Sequence, residues 1–308
     1  MLFINNIKEV IMVHEKLKGY IYLGITILIF STLEVVSSSL KDLIHPLQLI
    51  FIRFLLGGLA LLPWVIVRKE KITKKDWLFF GALGILNTVV SMGSLQLAIY
   101  MGKASTAAIL ISSNPIFVVM FSYLILKECI SKNNIICMIL GIIGIILIIY
   151  KPDSTGDTPL SLLLGVIASM TFGLYTVLGK NKAENISSIT MISLSAIIGS
   201  IFTIPVLMFM RLPIFYFPKE GFFRIMYLGL VLSGFAYITF IEALKILSAS
   251  KGSMVFFLKP AIATILAVVF LGESISLRII FGMILVAAGI FINFYNSTGV
   301  KKAIDEEG

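Results

Sequence analysis

Residues 126–131 read LKECIS, and the pattern returns as LGESIS at residues 271–276. Sliding the chain on itself by the same interval aligns 98–150 with 243–295 without a gap, and about 15 of the 53 positions are identical. Ala98 meets Ala243, Ser105 meets Ser250, Pro115 meets Pro260, Glu128 meets Glu273, Ser131 meets Ser276, Gly144 meets Gly289 and Tyr150 meets Tyr295. An apolar composition alone would supply Ile and Leu matches, but it would not place Pro, Glu, Ser, Gly and Tyr in register. The chain reads as a duplication.

What is duplicated is membrane-spanning. Of 308 residues, 58% are hydrophobic and only 13% are charged, with a mean hydropathy of +1.04. Such a chain cannot cover a surface with polar groups, which excludes a soluble protein. The apolar runs are continuous for about 20 residues, the length of a helix crossing the hydrocarbon core, and do not alternate as barrel strands do. They fall at 19–40, 46–67, 78–100, 104–126, 134–150, 160–179, 188–210, 224–245, 248–271 and 277–296. The expected fold is an all-α integral membrane protein of ten transmembrane helices. A segment 1–18 precedes a first five-helix repeat over 19–150. A linker over 151–159 leads to a second repeat over 160–296 and a tail over 297–308. No charged region followed by a short apolar stretch and a cleavage site opens the chain, so the first span is read as retained.

The net charge of +9 is informative through its distribution. With the N-terminus inside, sixteen Lys and Arg fall on the cytoplasmic side and seven on the other, while Arg53 and Lys259 fall within spans. This positive-inside bias predicts that both termini are cytoplasmic and that the basic run Arg68, Lys69, Lys71, Lys74 and Lys75 is a topology marker. Because five spans is an odd number, the second repeat enters the membrane in the opposite sense to the first. Inverted repeats of this kind place a substrate site near the midplane between the halves.

The second-half order SGFAYITFIEALKILSASKGSMVFFLKP (233–260), LGESIS and a Gly-rich last helix resembles the EamA-like branch of the drug/metabolite transporter superfamily. The first half repeats it as LQLAIYMGKASTAAILISSNP (95–115) and LKECIS. The resemblance covers about 19–296 and implies a ten-helix inverted-repeat carrier with a central cavity lined mainly by helices 1, 3, 4, 6, 8 and 9. It also implies a homodimer interface through helices 5 and 10. YIYLG (20–24) with LEVVSSSLK (33–41) is similar to the opening helix of the small multidrug resistance proteins, whose membrane-embedded Glu exchanges protons for cations. Glu34 falls on that Glu when about one helical turn is inserted.

Ionised groups inside a span cost about 2.5–3.5 kcal/mol on insertion scales, which makes them functional candidates. Glu34 and Arg53 each lie about 6 Å from the midplane at one depth on consecutive helices, and Lys259 lies close to the midplane. Two readings stay open for Glu34: a structural ion-pair partner of Arg53 or Lys259, or a group in the cavity that titrates and couples transport to protons. If all three face a cavity the sum is +1, which favours a zwitterion or organic anion over a lipophilic cation. Lys259 precedes Pro260 as Asn114 precedes Pro115. Each Pro should kink its helix and free the carbonyl one turn earlier, near residues 111 and 256, for water or substrate. Gln96, Tyr175, Ser233 and Tyr237 complete the candidate substrate-binding or coupling set, with Tyr100 read as an interface anchor.

Other features are read as structural. Glu242 with Lys245 forms a surface pair, and Glu128 and Glu273 cap the helices that follow them. Gly141, Gly144, Gly282 and Gly289 allow close helix packing. Cys129 and Cys137 form no disulfide framework, and His14 and His45 have no partner at metal-ligand spacing. No catalytic residue, metal or cofactor is expected. The partners expected are the lipid bilayer, a small-molecule substrate and a proton or counter-substrate, with no nucleic acid.

The expected function is a secondary active transporter of the plasma or inner membrane. It exports a small polar metabolite, such as an amino acid or organic anion, by alternating access. The alternatives are a proton-coupled multidrug or quaternary-cation exporter using Glu34, and an uptake carrier of the same fold. An intramembrane enzyme lacks a nucleophile with its base, a zinc pair or a second buried carboxylate. A sensor lacks a receiving domain, a channel lacks a repeated selectivity ring, and no phosphate loop for ATP is visible.

Overall fold

The computed structural model describes residues 2–149, 156–183, 185–272 and 277–297. Glu273, Ser276, Tyr150, most of the linker and the tail from 298 onward lie outside the described residues. All regular structure among the described residues is helical. We number the rods α1 (Leu2–Phe30 with Leu33–Ser38), α2 (Pro46–Arg68), α3 (Lys74–Met101), α4 (Ala104–Leu126) and α5 (Lys132–Ile149). The series continues with α6 (Pro159–Ala183), α7 (Ser188–Phe209), α8 (Lys219–Ile246), α9 (residues 249–271) and α10 (Leu277–Ser297). Seven of them, α1–α4 and α6–α8, are long and apolar enough to cross a membrane. The apolar stretches in α5, α9 and α10 are shorter, over Lys132–Gly144, Val255–Leu271 and Ile280–Gly289. Residues 2–18, read from the sequence as a separate segment, continue directly into α1.

Several starts and stops follow from the local sequence. The His45 Nδ1 accepts from the Leu47 N–H and the Gln48 side chain accepts from the His45 N–H, with Pro46 at the first helical position of α2. Thr73 and Asp76 make the same reciprocal box at the start of α3. Three rods are broken partway along. In α1 the break is at Ser31 and Thr32, whose hydroxyls bond back to the Ile27 and Ile29 carbonyls. In α4 it is at Ser112 and Ser113, which bond back to Ala108 and Leu110. In α9 the residues Met254–Leu258 tighten to a 3₁₀ turn before Pro260. Hydroxyl back-bonding and proline both interrupt the helical ladder. Wide π turns occupy Ile85–Met92 in α3 and Tyr227–Ala236 in α8, which the apolar pattern did not announce.

The main pairings are α2 with α7, α5 with α10, α3 with α6, α4 with α6, α3 with α7, α2 with α8, α1 with α8 and α4 with α9. Exchanging α1–α5 for α6–α10 leaves all of them in the set except α4 with α6, whose counterpart, α1 with α9, is a smaller contact. The closest backbone approaches are at Gly57 and Gly84. A Cβ on Gly84 would meet the Ser195 carbonyl of α7 at 2.2 Å, and one on Gly57 would meet the Gly229 carbonyl of α8 at 2.8 Å. Small residues let apolar helices gain dispersion contact where lipid offers no hydrophobic drive. Gly289 abuts Cys137 and Leu140 of α5, and Gly141 faces Phe257. Those glycine faces are therefore used inside the chain. Large apolar side chains such as Val67, Phe209 and Phe223 point outward, as they would toward lipid.

Candidate functional site

The three helix breaks stand immediately before three polar residues, Glu34, Asn114 and Lys259. Lys259 Nζ donates to Glu34 Oε1 at 2.5 Å, and the two side chains are 2% and 0% exposed. Of the two partners open to Glu34 from the sequence, the structure selects Lys259. Arg53 is completely buried, and its Nε, Nη1 and Nη2 have no hydrogen-bond partner. Its guanidinium lies 4.9 Å from the Phe54 ring centre and is near enough to Glu34 and Tyr237 to feel both electrostatically. Since Glu34 and Lys259 neutralise each other, the net positive charge expected of the site resides on Arg53.

Other buried polar atoms are also unpartnered: Glu34 Oε2, Ser37 Oγ, Asn87 Oδ1, Asn114 Oδ1, Ser233 Oγ and Thr264 Oγ1. An unsatisfied buried polar group costs about 1–3 kcal/mol, and a charged one more. These atoms leave buried hydrogen-bonding capacity available to a ligand or to water. Asn87, which stands beside the Tyr237 hydroxyl, was missed from the sequence. A carboxamide in mid-span was the signal that could have found it.

A small pocket adjoins the ion pair, lined by Leu33, Leu95, Ile111, Tyr237 and Lys259 among others. Phe30, Phe172, Tyr237 and Phe256, which also line it, cluster with Tyr175 and Phe240. Phe30 packs against Tyr237, Phe240 and Phe256 at 5.2–6.1 Å, and Phe172 packs against Tyr175, Tyr237, Phe240 and Phe256 at 5.8–6.3 Å. Phe30 lies one turn before Glu34 and Phe256 one turn before Lys259. The cluster therefore forms an aromatic floor on the side of the ion pair toward the start of α1. Tyr175 and Tyr237 belong to this floor, and Phe30, Phe172, Phe240 and Phe256 were not singled out from the sequence.

The freed carbonyls are not left open as expected. Asn114 Nδ2 donates to the Ile111 carbonyl at 2.8 Å, replacing the N–H that Pro115 lacks. The Phe256 carbonyl accepts the Lys259 N–H in the 3₁₀ turn before Pro260. The kinks at Pro115 and Pro260 are thus closed by local bonds, and what they present inward is the side chain beside each proline. Gln96 is buried away from the ion pair, in a second narrow pocket with Ser37, Lys41 and Tyr100. Tyr100 is about half exposed and its ring packs beside that of His45. Ser233 is buried where α8 crosses Gly57. Glu242 and Lys245 form the expected surface pair at 3.2 Å. Cys129 and Cys137 are both free, and no metal-binding cluster occurs among the described residues.

Glu128 does not cap the helix that follows it. Ser131 accepts from the Asn134 N–H at the start of α5, while Glu128 reaches the other half of the chain. Its carboxylate accepts from Lys180 at 2.6 Å, from the Ala249 N–H at 3.2 Å and from the Ser250 hydroxyl at 2.9 Å. Burial alone would raise the Glu128 pKa, but Lys180 with the Ser250 and Ala249 donors overcomes it and holds the carboxyl below its ordinary value. At the same end Glu70 accepts from Ser187, and Lys182 donates to Asp76. At the opposite end Gln48 donates to the Pro213 carbonyl, Arg224 donates to the Ser39 carbonyl, and Asp157 accepts from Lys103 and Thr106. The two halves are clasped at both ends around the buried charges.

The model of the EamA-like transporter family matches this chain in two stretches, residues 17–150 and 159–295. An uncharacterized transporter of Clostridium kluyveri is 34% identical over 94% of this chain and 96% of that protein. The S-adenosylmethionine uptake transporter of Rickettsia prowazekii is 24% identical over 62% of this chain and 65% of that protein. A solved crystal structure superimposes with a TM-score of 0.72 at 16% identity, covering 92% of this chain and 99% of the other. That last likeness is one of fold.

Proposed function

This chain belongs to the EamA-like transporter family, and from that premise we propose that it is a secondary carrier for a small metabolite bearing an anionic group, such as an amino acid or organic anion. It is a multi-pass membrane transporter, not an enzyme. The observation that carries the substrate reading is the Arg53 guanidinium, fully buried with all three nitrogens unpartnered. A planar fork of N–H donors matches a carboxylate or phosphate in two parallel hydrogen bonds, and burial without an anion is costly.

The architecture that goes with this reading is ten spans in two inverted repeats with both termini in the cytoplasm. Support comes from the two matched stretches, the pairings that survive exchange of the halves, and the positive-inside bias. Alternating access then opens one end clasp at a time around the midplane charges. The Glu34–Lys259 pair is the link between the two halves in this scheme. Movement is outward, against a proton or a counter-substrate.

A second substrate of the same chemistry is S-adenosylmethionine, favoured by the named relative and by the aromatic floor. Its carboxylate suits Arg53 and its purine and sulfonium suit faces of aromatic rings. A lipophilic cation is less well served, since Lys259 already holds the one buried carboxylate of the site.

Counterflow in proteoliposomes tests the reading, with radiolabelled amino acids, dicarboxylates, S-adenosylmethionine and tetraphenylphosphonium. Saturable exchange of a carboxylate-bearing substrate that Arg53→Gln abolishes is the expected result. Exchange of the phosphonium alone, or carboxylate exchange untouched by Arg53→Gln, would overturn it.

A further inference from the structure

The basic loop between α2 and α3 carries Arg68, Lys69, Lys71, Lys74 and Lys75, and every one of these side chains is exposed. The same stretch contains two carboxylates that could have neutralised them, Glu70 and Asp76. Both are engaged by the other half of the chain. Glu70 accepts from the backbone and hydroxyl of Ser187, and Asp76 is held by Lys182 and by its own capping box with Thr73. Their charges are used to tie the loop to the α6–α7 connection of the other half. Arg68 keeps Glu70 as an electrostatic neighbour, and the four lysines are left displayed.

The chain has two tryptophans, and they stand on either side of this loop: Trp64 four residues before Arg68 and Trp77 two residues after Lys75. Both are exposed, at 57% and 48%. Exposed Trp at the ends of membrane helices marks the headgroup level, so the displayed cations stand where lipid phosphates do. From the engaged carboxylates, the displayed cations and the flanking indoles together, we infer that this loop is a docking surface for anionic phospholipid headgroups. A positive-inside marker requires only that the charges exist. It does not require both acidic residues to be bonded to the α6–α7 connection.

The loop is anchored to the second half through Ser187 and Lys182, on either side of the connection into α7. Lipid bound there would bear on the same end of the molecule as the Glu128 clasp. The inference needs only that the loop meets a membrane surface, and it is independent of the substrate reading.

The two tryptophans provide the test, because both report on this one region. The full-length protein is placed in mixed phosphatidylcholine and phosphatidylglycerol vesicles in which one lipid or the other is brominated at equal mole fraction. Each cation near an anionic surface changes partition about fivefold, so the expected result is clear excess quenching of Trp emission by brominated phosphatidylglycerol. The variant Lys69→Gln/Lys71→Gln/Lys74→Gln/Lys75→Gln should remove the excess and keep wild-type quenching by brominated phosphatidylcholine. Lys41→Gln/Lys219→Gln, at the opposite end, should keep the excess. For the wild type itself, the excess should fall as salt rises. Equal quenching by the two lipids, an excess that survives in the fourfold variant, or a salt-insensitive excess overturns the inference.

Discussion

Lys259 and Glu34, 225 positions apart in the chain, meet as a sealed ion pair at 2.5 Å, and that pairing leaves Arg53 with no partner at the same depth. Two cations and one carboxylate were legible as intramembrane charges. Which cation the carboxylate takes determines which one remains for a ligand. The pair also joins the broken helix of one half to the broken helix of the other, so its state is tied to how the halves sit.

Breaking the pair from one side should cost more than removing both members. Glu34→Gln strands the Lys259 ammonium, and Lys259→Met strands the carboxylate, each at about 3–5 kcal/mol. The double variant should recover most of that loss. Thermal unfolding in detergent of the two single variants and the double checks this, and additive losses would contradict it.

Arg53 should behave in the opposite way. It has no hydrogen bond to lose, so Arg53→Met should raise the melting temperature while carboxylate exchange disappears. A gain of about 1 kcal/mol or more is expected from removing a desolvated charge. A destabilised Arg53→Met protein would mean that the guanidinium is structurally held.

The Asn114 amide stands in for the backbone N–H that Pro115 lacks. Asn114→Ala should therefore cost about 1–3 kcal/mol by orphaning the Ile111 carbonyl. Adding Pro115→Ala restores a donor to that carbonyl, and Asn114→Ala/Pro115→Ala should regain most of the loss. Denaturant titrations of the three proteins decide it.

The clasp at Glu128 has a defined pH response. Its folded-state pKa lies below the ordinary 4.5, so its contribution is complete above that value and is lost as pH falls through the depressed one. As pH falls below 4.5 and through the depressed value, the wild type should lose more thermal stability than Glu128→Gln, which has no charge there to protonate. Parallel curves would remove Glu128 from the clasp.

Helix approach at Gly84 leaves no room for a methyl group. Gly84→Ala sets a Cβ against the Ser195 carbonyl and should cost about 1–3 kcal/mol, since backbone cannot turn aside. Gly24→Ala, where nothing lies within 4 Å, is the matched control and should be neutral or mildly stabilising. Purified yield and melting temperature of the two variants separate them.

Much of this molecule was open to sequence reasoning because a bilayer is a demanding solvent. Apolar runs of helical length, the duplicated Pro115/Pro260 and Glu128/Glu273 positions and the three intramembrane charges are all local or periodic signals. The exposed Glu242–Lys245 pair, one helical turn apart, was legible for the same reason. Asn114 filling the gap left by its neighbouring proline was not, because the rule for proline says that a carbonyl is freed and says nothing about which side chain reaches it. Glu128 was misread as a local cap because its partners, Lys180 and Ser250, are distant in sequence.

The sequence by itself determined that this chain lives in a membrane as apolar helices, that its last two helices of each half are copies, and that Glu34, Arg53 and Lys259 are buried. Each of these follows from hydrophobicity and spacing, which act residue by residue. Only the tertiary structure decided that Lys259 rather than Arg53 neutralises Glu34, that Phe30, Phe172, Tyr237 and Phe256 cluster beside the pair, and that Glu70 and Asp76 are taken up by Ser187 and Lys182. Those are contacts across tens to hundreds of positions. Their outcome depends on the rotation of each rod about its axis and on the backbone approach that Gly57 and Gly84 permit, neither of which is a property of any single segment.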